Sequence, residues 1–336
     1  MMGFLTLDEV PDRLALAASS LVEIQLTTPW ASFALEVHIE DWAVAKTVRS
    51  WAHSLRRTNQ LDHPPLTGTI LLGRLPANKY GLLAAPETRR AIVSDRPAVV
   101  AFNCTTAIEA HLAIRSLVAM LVPAPLAFMH GASFLLQDTS HARSLLVAGS
   151  SGSGKSHLLG SCLARPDLRV VLLNEDWSPA ATGPCSVADL GESLVLLKTE
   201  SANLYARGHA TPQHRDPTDP TRALYSRDTL FGSRPRGQDA HRLDAIVFLR
   251  AETQAVSNLR PFDSTDLTWI RNGEDSLYYG CAEQLLDGST EVLSADRIDR
   301  RLEFIRTLSR DTRTYVLDNS RSADMDTVID AILADS

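Results

Sequence analysis

Basic excess, paired cysteines and long apolar runs are all lacking in this chain, and each lack removes a class of function. Across 336 residues, 33 Lys and Arg stand against 40 Asp and Glu, a formal net charge of −7. General nucleic-acid binders carry the opposite sign, because they neutralise backbone phosphates. Cys104, Cys162, Cys185 and Cys281 form no CxxC pair and have no histidines at ligand spacing. Neither a zinc site nor a disulfide framework is therefore expected, and the thiols fit a reducing compartment. No stretch reaches the roughly 18 apolar residues of a membrane-crossing helix. Asp8, Glu9 and Asp12 stand where a secretory leader would carry positive charge. The expectation is a cytoplasmic protein, with neither membrane nor nucleic acid among its partners.

What the chain does have is enough apolar sequence, 44% of residues, for a sizeable core. Residues 1–104 read as a smaller N-terminal α+β unit of unknown role, with strand-like runs at 20–24 and 69–72. Thr106-Ala107-Ile108-Glu109 has the spacing of a capping box and opens a helix that Pro123 and Pro125 stop. This helix marks the boundary to a second unit, 105–336. Strands are expected at 127–136, 144–148, 169–174, 194–197, 245–249 and 314–317, and a final helix carries Met325, Val328, Ile329, Ile332 and Leu333 on one side. The stretch 207–242 holds seven arginines among Asp, Pro and His. Its composition predicts a mobile excursion rather than a packed segment.

The most specific signal is Gly149-Ser150-Ser151-Gly152-Ser153-Gly154-Lys155-Ser156. It follows the buried strand Ser144-Leu145-Leu146-Val147-Ala148 and precedes a helix with Leu158, Leu159, Cys162 and Leu163 on one face. This is a complete phosphate loop in its required setting. Glycines let successive backbone N–H groups turn toward an anion, and the helix adds the positive end of its dipole. Gly149 to His157 are therefore the candidate nucleotide-binding residues. Lys155 is assigned to the terminal phosphates and the Ser156 hydroxyl to Mg²⁺.

A phosphate loop needs acidic partners, and the first downstream are Glu175 and Asp176, at the end of the apolar strand 169–174. In an open sheet, that end faces the crevice of the loop. Adjacent carboxylates point differently, so one serves the metal and the other faces an acceptor hydroxyl; the bland alternative is an acidic strand-to-loop turn. His130, in the apolar run Phe128-Met129-His130-Gly131-Ala132, reads either as a satisfied core residue or as a group that donates to phosphate or supports the acids.

A strand His-Gly, a GxSGxGKS loop and a strand ending in paired acids, in that order, resemble the HPr kinase/phosphorylase group, whose P-loop domain is related to phosphoenolpyruvate carboxykinase. Thr229-Leu230-Phe231-Gly232 ahead of Ala245-Ile246-Val247-Phe248-Leu249 is similar to that family's later segment. The resemblance covers about 127–334. It implies an α/β P-loop kinase domain using ATP and Mg²⁺, oligomeric assembly, Glu175 as the base that takes the acceptor's proton, and Asp176 with Ser156 at the metal. His130 takes the place of the family's strand histidine. The chain departs from the family at His157 and Glu175, where the family carries Glu and Asp respectively. It also has no match to the family's arginine-glycine motif, and its 207–242 stretch differs.

The leading expectation is γ-phosphoryl transfer from ATP to a hydroxyl of a protein, a peptide or a small molecule. Arg222 and Arg227, just ahead of the family-like run, are the candidate arginines for the transferring charge. The alternative is a regulatory ATPase that uses hydrolysis as a conformational switch. Such proteins present an apolar strand ending in Asp or Asp-Glu, whereas the candidate strand here ends Phe248-Leu249-Arg250, and no LSGGQ-like signature is present. A third reading is a module that holds nucleotide without chemistry.

Overall fold

A computed structural model describes residues 20–55, 65–73, 91–95, 98–104, 106–122, 125–138, 142–150, 152–217, 219–232, 240–251, 257–273, 295–318 and 320–334. Asp8, Glu9, Asp12, Ser151, Arg234, Arg236 and Cys281 lie outside these residues. The chain is mixed α/β.

The first sheet opens with β1 (Ser20–Thr27) and β2 (Ser32–Ile39), an antiparallel pair whose alternate residues are buried, as expected of strands with one face on a core. Asp41 then caps helix α1 (Trp42–Ala52), accepting from the backbone N–H groups of Ala43 and Val44 at 2.7 and 3.1 Å. β3 (Leu66–Gly73), β4 (Ala91–Asp95) and β5 (Ala98–Asn103) complete a sheet ordered β1-β2-β3-β5-β4. The expected capping box is present at the start of α2 (Ala107–Leu121), with Thr106 and Glu109 satisfying each other's backbone N–H groups.

The second sheet contains β6 (Leu126–Gln137) and β7 (Ala142–Gly149), followed by α3 (Lys155–Ala164), β8 (Arg169–Asn174), β9 (Trp177–Thr182) and β10 (Cys185–Ala188). The chain continues through β11 (Leu194–Lys198), α4 (Thr199–Tyr205), β12 (His214–Arg215), β13 (Arg222–Ser226), α5 (Arg227–Phe231) and β14 (Ala240–Arg242). It closes with β15 (Ala245–Arg250), β16 (Asn258–Pro261), α6 (Ser264–Gly273), α7 (Ala295–Asp311), β17 (Arg313–Asp318) and α8 (Met325–Ala334). The order is β14-β10-β9-β6-β7-β15-β17-β16, with β8 also on β6. β7, β15 and β17 run parallel, so their carboxyl ends share one edge. β6 runs antiparallel to β7, and along its other side β8 and β9 lie end to end, Ser133 opposite Asn174 and His130 opposite Trp177. β8 thus ends at the same edge as β7, and the break between β8 and β9 falls beside His130 and Gly131.

Alternation along β7 sends Leu145 and Val147 into one core and Leu146 and Ala148 into another, so both faces of the parallel strands are covered. A third core joins β1, β2, α1 and α2 to Leu126, Phe128, Trp177, Leu190 and Leu224. The N-terminal sheet and the strands around β6 are packed through that core.

Where it is described, at 207–217, 219–232 and 240–242, the stretch 207–242 departs from the expected excursion. β13 pairs with both β11 and β12, and Ala223, Leu224 and Tyr225 are buried. Three apolar residues among charged ones are too short a run to show a period; Leu224 packs into the core of the first sheet, and Ala223 and Tyr225 into the core that holds Leu158 and Leu159. No helix among the described residues is long and apolar enough to cross a membrane.

Candidate functional site

The loop grows out of β7 at a point where only glycine fits. A Cβ on Gly149 would lie 2.5 Å from the Ser153 hydroxyl and 2.9 Å from the Leu249 carbonyl oxygen. Gly152 and Gly154 have φ of 78° and 101°, the left-handed region that glycine adopts without strain. Lys155 opens α3 and turns back over the loop, with Nζ donating to the Gly149 and Ser150 carbonyls at 2.8 and 3.0 Å and lying 3.0 Å from His130 Nε2. The Ser153 hydroxyl is fully buried and has no hydrogen-bond partner among the described residues. His157 is exposed on α3.

The acidic pair occupies the break between β8 and β9, and buried polar groups on both sides pin it. Asn174 donates to the Ser133 hydroxyl and the Ala188 carbonyl at 2.8 and 2.6 Å and accepts from the Leu190 N–H at 3.1 Å. Ser178 donates to the Gly131 carbonyl at 2.8 Å, and its hydroxyl also lies 3.0 Å from that of Ser133. Gly131 is required there as well, since a Cβ would meet the Val147 carbonyl oxygen at 2.5 Å. With the backbone held on either side, Glu175 and Asp176 face different surroundings.

Asp176 turns toward cations. Its Oδ1 is 3.1 Å from His130 Nε2, and its Oδ2 accepts from Arg115 at 2.9 Å. His130 Nε2 is thus within reach of both Asp176 and Lys155. When protonated it donates to the carboxylate; when bare it accepts from the ammonium. Burial alone would raise the Asp176 carboxyl, but the charge and hydrogen bond of His130, together with Arg115 and Lys155, outweigh it and hold this group well below the usual carboxylate range. Glu175 behaves in the opposite way. Burial first, and then the charge of Asp176, push it up to about 7, against the opposing hydrogen bond from Tyr205 and the charges of Lys155 and Arg115. The structure brings Lys155, His130, Glu175 and Asp176 together.

Three contributors were missed. Arg115 comes from α2, stacks over Trp177 at 5.6 Å and is nearly buried. One turn before it, fully buried His111 meets the Trp51 ring edge-on at 4.5 Å, so the helix that delivers Arg115 is seated against α1. The available signal was position: Arg115 falls four residues after His111 and three before Val118, on the buried stripe of α2. Tyr205, at the end of α4, donates to Glu175 Oε1 at 3.0 Å and shares a side-chain hydrogen bond with Ser156, so one hydroxyl bridges the loop serine and the acid. α4 comes this close because Gly160 of α3 has no side chain; a Cβ there would lie 2.7 Å from Leu204. Arg321 follows β17 and donates through Nε to the Gly152 carbonyl at 2.8 Å.

Arg222 and Arg227 are not carried on a swinging segment. Arg222 opens β13, with Nε 3.4 Å from Asp219 Oδ2. Arg227 opens α5, is 1% exposed, and has Nη1 3.7 Å from Asp228 Oδ1. The expectation that a loose loop presents them is corrected: β13 and α5 build both into packed structure.

The Ser156 hydroxyl and the Asp176 carboxylate are hard oxygen donors of the kind Mg²⁺ selects, and the glycine cradle with its buried Ser153 hydroxyl fits an anion. Among the described residues no group of three or more His, Cys, Asp or Glu side chains could hold a metal. A cation at Ser156 would therefore complete its shell from phosphate oxygens and water. Compared with known proteins, the chain matches no family model and no curated protein.

Proposed function

We propose that this chain is an ATP-dependent phosphotransferase with a hydroxyl acceptor, of a P-loop type resembling the HPr kinase/phosphorylase group. One observation carries the reading. Two adjacent carboxylates stand beside a phosphate loop, and their surroundings drive them apart, Glu175 up to about 7 and Asp176 well below the usual range. Groups split in this way divide into a base and a permanently charged partner. Glu175 takes the proton of the acceptor hydroxyl, and Asp176 stays ionised with Ser156 as the Mg²⁺ ligands. Lys155 leaves the loop carbonyls for the terminal phosphates, and His130 keeps it in line with Asp176. Mg²⁺ bound there would neutralise charge on the phosphate oxygens as the γ-phosphoryl group departs.

The test is phosphate transfer itself. The protein is incubated with ATP, Mg²⁺ and either serine peptides or hydroxyl-bearing metabolites, and acceptors are scanned by mass spectrometry for a gain of one phosphate group. Lys155→Ala should be inactive while keeping the wild-type melting temperature. ADP and phosphate released at the same rate with every acceptor absent would favour the regulatory ATPase instead. Near-normal turnover in Lys155→Ala would end the phosphate-loop reading.

A further inference from the structure

A triphosphate drawn through the loop has two ends, and the sheet order separates them. On one side of β7 stand β6, β8 and β9 with His130, Glu175 and Asp176. The terminal phosphate and the metal belong on this side. The nucleoside must therefore leave on the other side, over the carboxyl ends of β15 and β17.

Those ends are built onto the loop. Leu249 is in register with Gly149, and Arg250 with Asp318, so the last residues of β15 and β17 stand level with the loop's first glycine. The Ser320 hydroxyl, fully buried, lies 2.5 Å from the Ser153 carbonyl oxygen and 3.2 Å from that of Arg250. Arg321 Nε donates to the Gly152 carbonyl, and its Nη2 lies 3.3 Å from where a Gly152 Cβ would be. In a loop whose N–H groups turn in toward phosphate, the carbonyls turn out. Arg321 is therefore braced on the outer wall of the cradle. The same wall continues through the Arg250 guanidinium, which stacks over Trp269 at 5.2 Å and lies 3.5 Å from Asp318, itself held by Arg260 at 2.8 Å.

We infer that Arg321, on the wall formed with Arg250 and Asp318, is a nucleoside-binding residue of this site, meeting the ribose and the face of the base. A planar guanidinium suits that task, since it stacks on a ring and donates to hydroxyls with the same group. This rests on the phosphate-loop reading, and the sequence gives no hint of it because Arg321 is 169 residues from Gly152.

Calorimetric titration of the full chain with two probes, Mg-ATP and Mg-tripolyphosphate, tests the inference. Arg321→Ala should weaken ATP about tenfold, the order of one stacked cation contact, and leave tripolyphosphate within about twofold of wild type. Unchanged ATP affinity in Arg321→Ala, or equal losses for both probes, overturns the inference. Lys155→Ala should weaken both probes. If the wild-type chain binds neither, the phosphate-loop reading itself falls, and the two failures are thereby told apart. Among the described residues Arg321 makes one hydrogen bond, an exposed one through its Nε, and an unchanged melting temperature of the variant shows that the fold is intact.

Discussion

Arg115 Nη1 lies 2.9 Å from Asp176 Oδ2, and the pair joins the helix that follows the N-terminal sheet to the acidic break beside the phosphate loop. The arginine is 7% and the aspartate 26% exposed at the side chain, so the pair is shielded from solvent on one side only. Arg115→Ala is expected to cost about 1–3 kcal/mol in urea unfolding, less than a fully buried pair would. It should also lower turnover at least about tenfold. In a double-mutant cycle with Asp176→Asn the two changes should fall short of additive by about 1 kcal/mol. Strict additivity would show that the contact carries no energy.

Tyr205 bridges Ser156 and Glu175 through one hydroxyl while its ring packs on Phe231 at 5.1 Å. Tyr205→Phe keeps the ring and removes the bridge. Turnover is expected to fall about tenfold, with ATP affinity within about twofold and the melt little changed, because the hydroxyl positions Glu175 rather than the nucleotide. Glu175→Gln should fall further, by about 10²- to 10⁴-fold, as removal of a general base does. Wild-type turnover in Tyr205→Phe would reduce the bridge to a packing detail.

Gly131→Ala places a methyl group 2.5 Å from the Val147 carbonyl oxygen and 3.1 Å from Ala148 Cα. Both are backbone atoms of β7, so nothing can step aside without moving the strand that carries the loop. A loss of about 1–3 kcal/mol is expected in denaturant unfolding. Gly183→Ala, with nothing within 4 Å of the new carbon, serves as the control.

Cys104 and Cys162 are buried, and burial pushes both thiols from 9.0 up to about 12. The folded values lie above the unfolded ones. The stability they contribute is thus fully present below about pH 9 and is lost as pH rises toward 12. At pH 8 native protein should react with iodoacetamide at these positions at least about tenfold more slowly than denaturant-unfolded protein, since the thiolate is the nucleophile. Equal rates, read by peptide mass spectrometry, would mean that the thiols are accessible and ionisable in the fold.

The features legible in the sequence are those whose physics is local. The phosphate loop needs a strand, glycines and a helix in unbroken succession, so Gly149 to Ser156 announce themselves. The capping box at Thr106 and Glu109 closes within one turn, and strands such as 169–174 and 245–249 are runs long enough to show their burial. Glu175 and Asp176 could be matched to the loop because strand direction alone sends β8 to the edge where β7 ends.

Tertiary structure decided the rest, wherever a contact closes over a long stretch of chain. Arg115, Tyr205 and Arg321 reach the site from helices and a turn that are remote in sequence, and nothing in their neighbours distinguishes them from other polar residues. Composition misled in the opposite direction at 222–227. There a charged setting suggested a loose segment, but β13 pairs with β11 and β12, Leu224 joins the core of the first sheet, Ala223 and Tyr225 join the core that holds Leu158 and Leu159, and Arg227 is buried beside them. Patterns within a segment report what that segment can bury. Which partner covers it, and which distant charge is brought within 3 Å of a carboxylate, depends on how the strands are ordered in the sheet.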